Sequence, residues 1–308
     1  MPSRFDAARL SGSPRAGIVA DLHTHSVQSD GKKQPQEIIE YALERGLSCV
    51  VVADHDNVSG SVLAIEHASE LERSGALTHD LVTFTAVEAS TAHGDRFAHL
   101  LIFCPDPGFT PLAERLSRTV EDRRLRTIRI VELLNRDGRA VSLDDFEERG
   151  WVVNRSNLGR LLVERGDAPT VNWCFANWFG RPGSPYYVPK EDEPDTLDMI
   201  ELGIAAGGVP VIAHPAAYHD ERYLPEFAEA GMKGLEAFHP DQSAQDSERL
   251  LLTASELGLF ASGGSDWHGD PMHGSDLGGY GLEHDLFVEL VSHLPQDRVL
   301  HFKAGERS

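Results

Sequence analysis

One pattern constrains this chain more than any other. A short apolar run ends in a histidine or an acid, a helix-patterned stretch follows, and the unit recurs along the sequence. Residues 18–22 read as a buried strand, and 35–45 as an amphipathic helix with Pro35 in its first turn and Gly46 behind it. Residues 48–53 form the next predicted strand and 59–74 the next helix, closed by Gly75, with further strands at 81–87 and 97–103. The rhythm resumes with helix 196–206, strand 209–213, helix 224–230, strand 234–237, helix 243–257, strand 259–262 and helix 285–293. Strands separated by helices of this size predict an α/β fold whose parallel strands are joined by crossover helices, arranged like a barrel.

The middle of the chain breaks the rhythm. Residues 111–135 are helical in pattern and rich in arginine, shorter helical segments follow at 143–149, 157–164 and 171–179, and a Pro/Gly-rich stretch at 181–185 closes the region. The expected organisation is a barrel-like domain over 17–110 and 191–308, a helical insertion or cap over 111–190, and a disordered leader over 1–16. Charge follows the same division. The whole chain carries −21, yet residues 111–190 hold 14 Lys and Arg against 11 Asp and Glu, a net of +3. An acidic chain of this kind is a poor match for long duplex DNA, which selects a basic footprint. A small phosphorylated ligand remains compatible, because bound cations can supply the local positive charge. The three cysteines, Cys49, Cys104 and Cys174, are scattered and form no C-x-x-C pair, which predicts reduced thiols and a cytoplasmic setting. No apolar stretch approaches the length of a membrane span.

The histidines fall at the ends of the predicted strands. His23 and His25 lie in D-L-H-T-H after the first strand, followed by Asp30, and alternate residues of an extended chain project to the same side. The second strand leads into His55, flanked by Asp54 and Asp56. The third is followed by Glu88, the fourth contains His99, and the next ends at His214. Another strand carries Glu236 and leads to His239, and the last leads to Asp266 and His268. A single such histidine is more often structural than functional, but six segments placing these groups at one edge form a site in barrel architectures. His23, His25, Asp30, His55, Glu88, His99, His214, Asp266 and His268 supply six imidazoles and three carboxylates. That donor set suits two or three divalent metal ions, with Mn, Fe or Zn compatible with mixed N/O ligation. His67, His79, His93, His219, His273, His284, His293 and His301 have no comparable setting and are expected at the surface or in packing.

On the motifs DLHTHSVQSDG, VVADHD, the Glu88…His99 pair, AHP and SGGSDWH, the chain resembles the PHP (polymerase and histidinol phosphatase) superfamily of metal-dependent phosphoesterases. The resemblance runs from about residue 18 to 270 and implies a distorted (β/α)7 barrel with metals at its C-terminal face. It also implies that the nine residues above are the metal ligands. The helical insertion and the segment G-L-E-A-F-H-P make the chain similar to stand-alone bacterial members that act on nucleoside 3′,5′-bisphosphates or trim short RNA from its 5′ end. Those members carry R-x-H in the insertion and a G-K-P turn; Arg155-Ser156-Asn157 and Gly183-Ser184-Pro185 stand at those places here.

These readings lead to an expected phosphoesterase with a metal-activated hydroxide as nucleophile. Asp266 serves as ligand and catalytic group, and Arg155 and Arg160 bind substrate phosphate. His239 either protonates the leaving oxygen or contacts the phosphate. Asp54 or Asp56 orients a ligand. Two other classes share the same residues, an amidohydrolase-like C–N hydrolase and a nucleotide-binding regulatory protein that retains its metals. The arginines of the insertion favour a phosphate over a neutral amide.

Overall fold

The computed structural model describes residues 17–218, 221–270 and 275–305; the expected leader at 1–16 and the histidines His219 and His273 lie outside the described residues. In chain order the first elements are β1 (Ile18–Thr24), α1 (Pro35–Arg45), β2 (Cys49–Val52), α2 (Ser59–Ser74), β3 (Leu81–Thr83), β4 (Ala86–His93) and β5 (Arg96–Phe103). A helical region follows with α3 (Thr110–Arg136), α4 (Asp144–Glu147), α5 (Arg155–Glu164) and α6 (Val171–Cys174), the last running into a π-helical turn at Phe175–Phe179. The remainder contains α7 (Thr196–Ala205), β6 (Val209–Ala213), α8 (Pro215–Tyr218), α9 (Leu224–Glu229), β7 (Gly234–Phe238), α10 (Ala244–Leu257), β8 (Phe260–Gly263), β9 (Leu282–Glu283), α11 (His284–Ser292) and β10 (Leu300–Phe302).

The strands form two five-stranded sheets, ordered β10-β3-β2-β1-β9 and β4-β5-β6-β7-β8. In the first, β1, β2 and β3 are parallel while β9 and β10 run antiparallel at the two edges. In the second, β6, β7 and β8 are parallel, but β4, β5 and β6 are joined antiparallel. The mixed α/β class is therefore as expected, while strictly parallel pairing is not. The predicted strand at 81–87 is two strands in different sheets. Between them Thr85 leaves the first sheet, its hydroxyl donating to the Pro105 carbonyl at 2.7 Å and its own carbonyl accepting from Cys104 N–H at 2.7 Å. Both halves are apolar, so an uninterrupted hydrophobic run conceals the change of sheet. The two sheets meet where Thr24 bridges to Trp267 and where His55 bridges to Glu88.

Alternation along the strands sorts the core. Val51, Leu101, Phe103, Val211 and Phe260 pack in one buried cluster together with Phe84 and Phe287. Val50 and Val52 turn instead toward Ile38, Ile39 and Ala64 of the first two helices, and Leu100, Ile102 and Ile212 toward Met199, Phe227 and Leu250. Strands buried on both faces read as continuous apolar runs, which is how they appear in the sequence. The helical region has a core of its own, with Ile130, Leu134, Phe146, Leu158, Leu162 and Phe179 buried against one another. All three cysteines are free thiols and buried. Among the described residues no helix is long and apolar enough to cross a membrane.

Candidate metal centre

The nine residues singled out from the sequence converge in space. Their elements differ: most lie at or just past strand ends, Glu88 and His99 lie within the paired strands β4 and β5, and Asp30 comes from the loop after β1. His23 ends its part of β1, and the His25 amide donates to the Trp267 carbonyl at 2.8 Å, tying the H-x-H segment to the loop of Asp266 and His268. Glu88 and His99 sit on the paired strands β4 and β5, where Ser90 faces His99 and Glu88 faces Leu101. Glu88 is thus inside β4 and not at a strand end, and it meets the His55 segment through the bridge between the sheets. His214 and Asp266 hold positive φ, at 32° and 49°, as does Asp56 at 52°. For non-glycine residues such backbone costs on the order of 1–3 kcal/mol each and persists where surrounding contacts over-determine it.

Glu88 is the hub. Its carboxylate lies 2.7 Å from His55 Nδ1, 2.8 Å from His99 Nδ1, 3.0 Å from His214 Nε2, and 3.4 Å from both His23 Nε2 and His25 Nε2. Asp266 makes a second hub, 2.9 Å from His25 Nε2 and 3.6 Å from His23 Nε2, and His268 Nε2 lies 3.3 Å from Asp30. Ligand-capable atoms fall within 4.8 Å of one another in the groups His25/Asp30/His55/His268, His23/His25/Glu88 and His55/Glu88/His99. The sharing of His25, His55 and Glu88 between groups is the arrangement that adjacent cations require. The site also fits cations on a second count. His23 Nε2, both ring nitrogens of His25, His55 Nδ1, Asp30 Oδ1 and Glu88 Oε2 are buried without an aligned hydrogen-bond partner. Buried polar atoms are rarely left so, and cations ligated in the cluster would satisfy most of them.

Burial, reinforced by His268 and His55, pushes His25 down to about 3. Burial likewise takes His99 down to about 4. Both rings are uncharged at neutral pH, the form that ligates a metal. Burial also disfavours charge on His268, but Asp30 and Asp266 outweigh it and raise that ring to about 9. Against their own burial, Glu88 and Asp266 are held well below the usual carboxylate range by the imidazoles around them.

Four buried acids hold these groups in place. Glu236 accepts from His23 Nδ1 at 3.0 Å with one oxygen and from the His214 amide at 2.9 Å with the other. The sequence reading noted Glu236 without giving it a role, although a lone acid inside the apolar strand G-L-E-A-F is a signal. Asp21 accepts from Ser265 N–H at 2.9 Å, Ser265 Oγ at 2.6 Å and Gly278 N–H at 2.8 Å, and its burial raises it to about 6. Asp54 fixes the loop before Asp30 by accepting from Ser26 N–H, Ser26 Oγ and Ser29 Oγ at 2.6–2.7 Å. Asp56 accepts from Ser90 N–H at 2.7 Å and pairs with Arg123 Nε at 3.1 Å.

Above the cluster are two adjoining cavities. One, of about 330 Å³, is lined by Val171, Asn172, Phe175, His239 and Asp241 together with residues of the cluster. The other, of about 180 Å³, is walled by Arg123, Arg155, Asn154 and Phe175, with Asp30, His55 and His99 at its base. The Arg155 guanidinium lies over the Phe175 ring, 5.1 Å from its centroid. Arg160, the other arginine expected to bind phosphate, lines neither cavity. It is buried and donates to the carbonyls of Asp30 and Gly31 and to Asn157 Oδ1, so it holds the Asp30 loop. Arg123, from the long helix α3, occupies the wall instead. Asn157 is likewise buried, capped against Asn154 and bonded to Val152 and Arg160. Ser184 belongs to a turn closed on Arg181. His239 Nδ1 accepts from Asp241 N–H at 3.1 Å, which leaves the proton on Nε2, 3.4 Å from Asp266 Oδ2. Among the remaining histidines, His67 pairs with Glu40, His79 bonds the Leu47 carbonyl, and His93 is held between Asp195 and Glu226.

Comparison with known proteins agrees with this geometry. The PHP domain family matches residues 21–137. The 3′,5′-nucleoside bisphosphate phosphatase of Chromobacterium violaceum is 30% identical over 266 residues, 84% of this chain and 90% of the relative. The 5′-3′ exoribonuclease Rnm of Escherichia coli is 29% identical over 260 residues, 82% of this chain and 85% of the relative. A solved structure from Bifidobacterium adolescentis, described as a "putative metal-dependent phosphoesterase", superposes with a TM-score of 0.79 at 30% identity, covering 92% of this chain and 98% of that one. These long matches, together with the buried cluster of histidines and carboxylates, place the chain in the PHP family of metal-dependent phosphoesterases.

Proposed function

We propose that the chain hydrolyses a phosphate ester of a small nucleotide, such as a nucleoside 3′,5′-bisphosphate, or of a short oligonucleotide, at a centre of two or three divalent ions. His23, His25, Asp30, His55, Glu88, His99, His214, Asp266 and His268 are the proposed ligands, and Mn, Fe and Zn are the candidate ions. The observation that carries this reading is the convergence of these residues on shared, buried, hydrogen-bond-starved atoms beneath an arginine-lined cavity. When bound, such ions supply Lewis acidity and a water acidic enough to serve as nucleophile near neutral pH.

The protein's own groups do the rest. Arg155, oriented by the Phe175 ring, binds non-bridging phosphoryl oxygens, and Arg123 faces the same space from α3. His239 lines the same cavity, with Nδ1 accepting from Asp241 N–H and Nε2 facing Asp266, and is the group assigned to contact the phosphate or protonate the leaving oxygen. Glu236 fixes the tautomer of His23 by accepting a hydrogen bond from its Nδ1–H, which aims Nε2 at the centre. We read the two sheets, joined at Thr24–Trp267 and His55–Glu88, as the distorted barrel over 17–110 and 191–308. Residues 111–190, with their separate core, form the cap over its open end. A cytoplasmic location belongs to the same proposal, and a small phosphorylated substrate is the expected partner.

A screen with Mn-loaded protein that reads phosphate release from nucleoside monophosphates and bisphosphates, nucleotide release from short RNAs and amine release from amide substrates tests this. Phosphate release that disappears in the double variant His23→Ala, Asp266→Ala supports the site. Release that survives the double variant refutes it. Tight nucleotide binding with no hydrolysis of any ester or amide would establish the regulatory alternative, and amide turnover alone the C–N hydrolase.

A further inference from the structure

The inner face of the β4–β5 hairpin continues outward from the metal centre. Side chains two apart on a strand share a face, so Glu88 and Ser90 on β4, and His99 and Phe97 on β5, point the same way. Ser90 receives a hydrogen bond from Arg123 Nη2, and Arg123 lines the cavity above His55 and His99. Phe97 lies about 7 Å beyond His99 along the strand. It is among the few large apolar residues left open, with 53% of its surface exposed. The Lys190 ammonium sits 4.3 Å from its ring centroid. An open aromatic ring with a cation over one face, one strand step outside a phosphoesterase centre, has the composition of a station for a nucleobase and its phosphate.

Neighbouring charge does not contradict this. Residues 191–195 form an acidic run next to Lys190, but each acid in it has a partner. Glu191 pairs with Arg129, Asp192 with Arg115 at 2.6 Å, Glu193 with Lys190, and Asp195 with His93 at 3.1 Å. Three of these four carboxylates are thus neutralised by other residues, while Glu193 holds Lys190 itself, and Arg123 and Arg155 line the neighbouring cavity.

Resting on the phosphoesterase reading above, we propose that Phe97 and Lys190 bind the second nucleotide of a single-stranded oligonucleotide whose terminal nucleotide occupies the metal centre. The ring stacks on the second base, and the ammonium exchanges its Glu193 partner for the adjoining phosphate. The chain is then a processor of short strands, with mononucleotides using only the inner part of the site.

Binding by fluorescence anisotropy, with hydrolysis-resistant phosphorothioate probes, tests the station independently of turnover. The probes are a 5′-phosphorylated RNA tetranucleotide, its DNA counterpart and a labelled AMP, each against the full metal-loaded chain. Base stacking predicts that Phe97→Ala weakens the tetranucleotide relative to AMP by about 5- to 150-fold. Phe97→Tyr, which keeps the ring, retains the wild-type ratio. The RNA and DNA arms decide which strand the station prefers. An unchanged ratio in Phe97→Ala overturns the proposal, and so does a wild-type chain that binds AMP but no tetranucleotide. In that last case phosphate release from a nucleoside bisphosphate would leave the phosphoesterase reading standing, whereas its absence would remove both.

Discussion

Replacing Glu236 by Gln probes how the metal centre is held. The carboxylate serves two donors at once, His23 Nδ1 at 3.0 Å and the His214 amide at 2.9 Å. A glutamine has one oxygen, so its amide nitrogen must face one of those two N–H groups in a fully buried setting. One donor is then left unsatisfied, at a cost of about 1–3 kcal/mol. If His23 is the group that loses, its ring no longer has a reason to keep the proton on Nδ1 and present Nε2 to the cations. Loss of such an orienting partner lowers metal affinity or activity by about 10–100-fold. The assay is a competition titration of metal-stripped protein against a chelator, run beside phosphate release at rising Mn concentration. The expected result is a drop in affinity of that size, activity that recovers as metal is raised, and a nearly unchanged KM at saturating metal. A Glu236→Gln protein whose metal affinity stays within twofold of wild type would refute the reasoning. A fall in melting temperature without a change in affinity would instead make Glu236 a packing residue.

Two further outcomes follow from the same contacts. A Cβ on Gly264 would lie 2.3 Å from His23 Cβ and 2.5 Å from His23 N, so Gly264→Ala must displace β1 or the Asp266 loop. The expected cost is about 1–3 kcal/mol in chemical denaturation together with weaker metal binding, and full stability with intact affinity would contradict that close approach. Burial, with Arg123, Arg155 and Arg126 adding to it, pushes Lys190 down to about 7. Because the group is lowered, its charge is present below that value and lost above it. Tetranucleotide affinity should therefore weaken between pH 6 and 8, and Lys190→Arg should flatten that dependence, as read by anisotropy across the range.

What could be read in the sequence was local. His23 and His25 announce themselves because alternate residues of an extended segment share a side, and Pro35 at the first turn and Gly46 at the C-cap mark the ends of α1. The misreadings concern partners that only the fold brings together. Nothing near residue 84 says that the chain changes sheets there, so Glu88 was placed at a strand end when it lies inside a hairpin arm. Arg160 and Arg123 are both helical arginines of one basic region, and only packing decides that the first is spent on the Asp30 loop while the second reaches the cavity. Glu236 acts on a histidine 213 residues away. These cases share a cause. Short-range rules presume that each segment settles into its own lowest-energy form, and the centre is built where several segments do not. His214, Asp266 and Asp56 hold positive φ, Asp21 and Glu236 are buried acids, and imidazole nitrogens sit in the interior without aligned partners. Each feature is unfavourable alone, and although Cys104 and Ala140 also hold positive φ elsewhere, most of them gather in or beside the cluster. Selection for stability alone would remove them, so their concentration is the physical mark of a site shaped for binding cations.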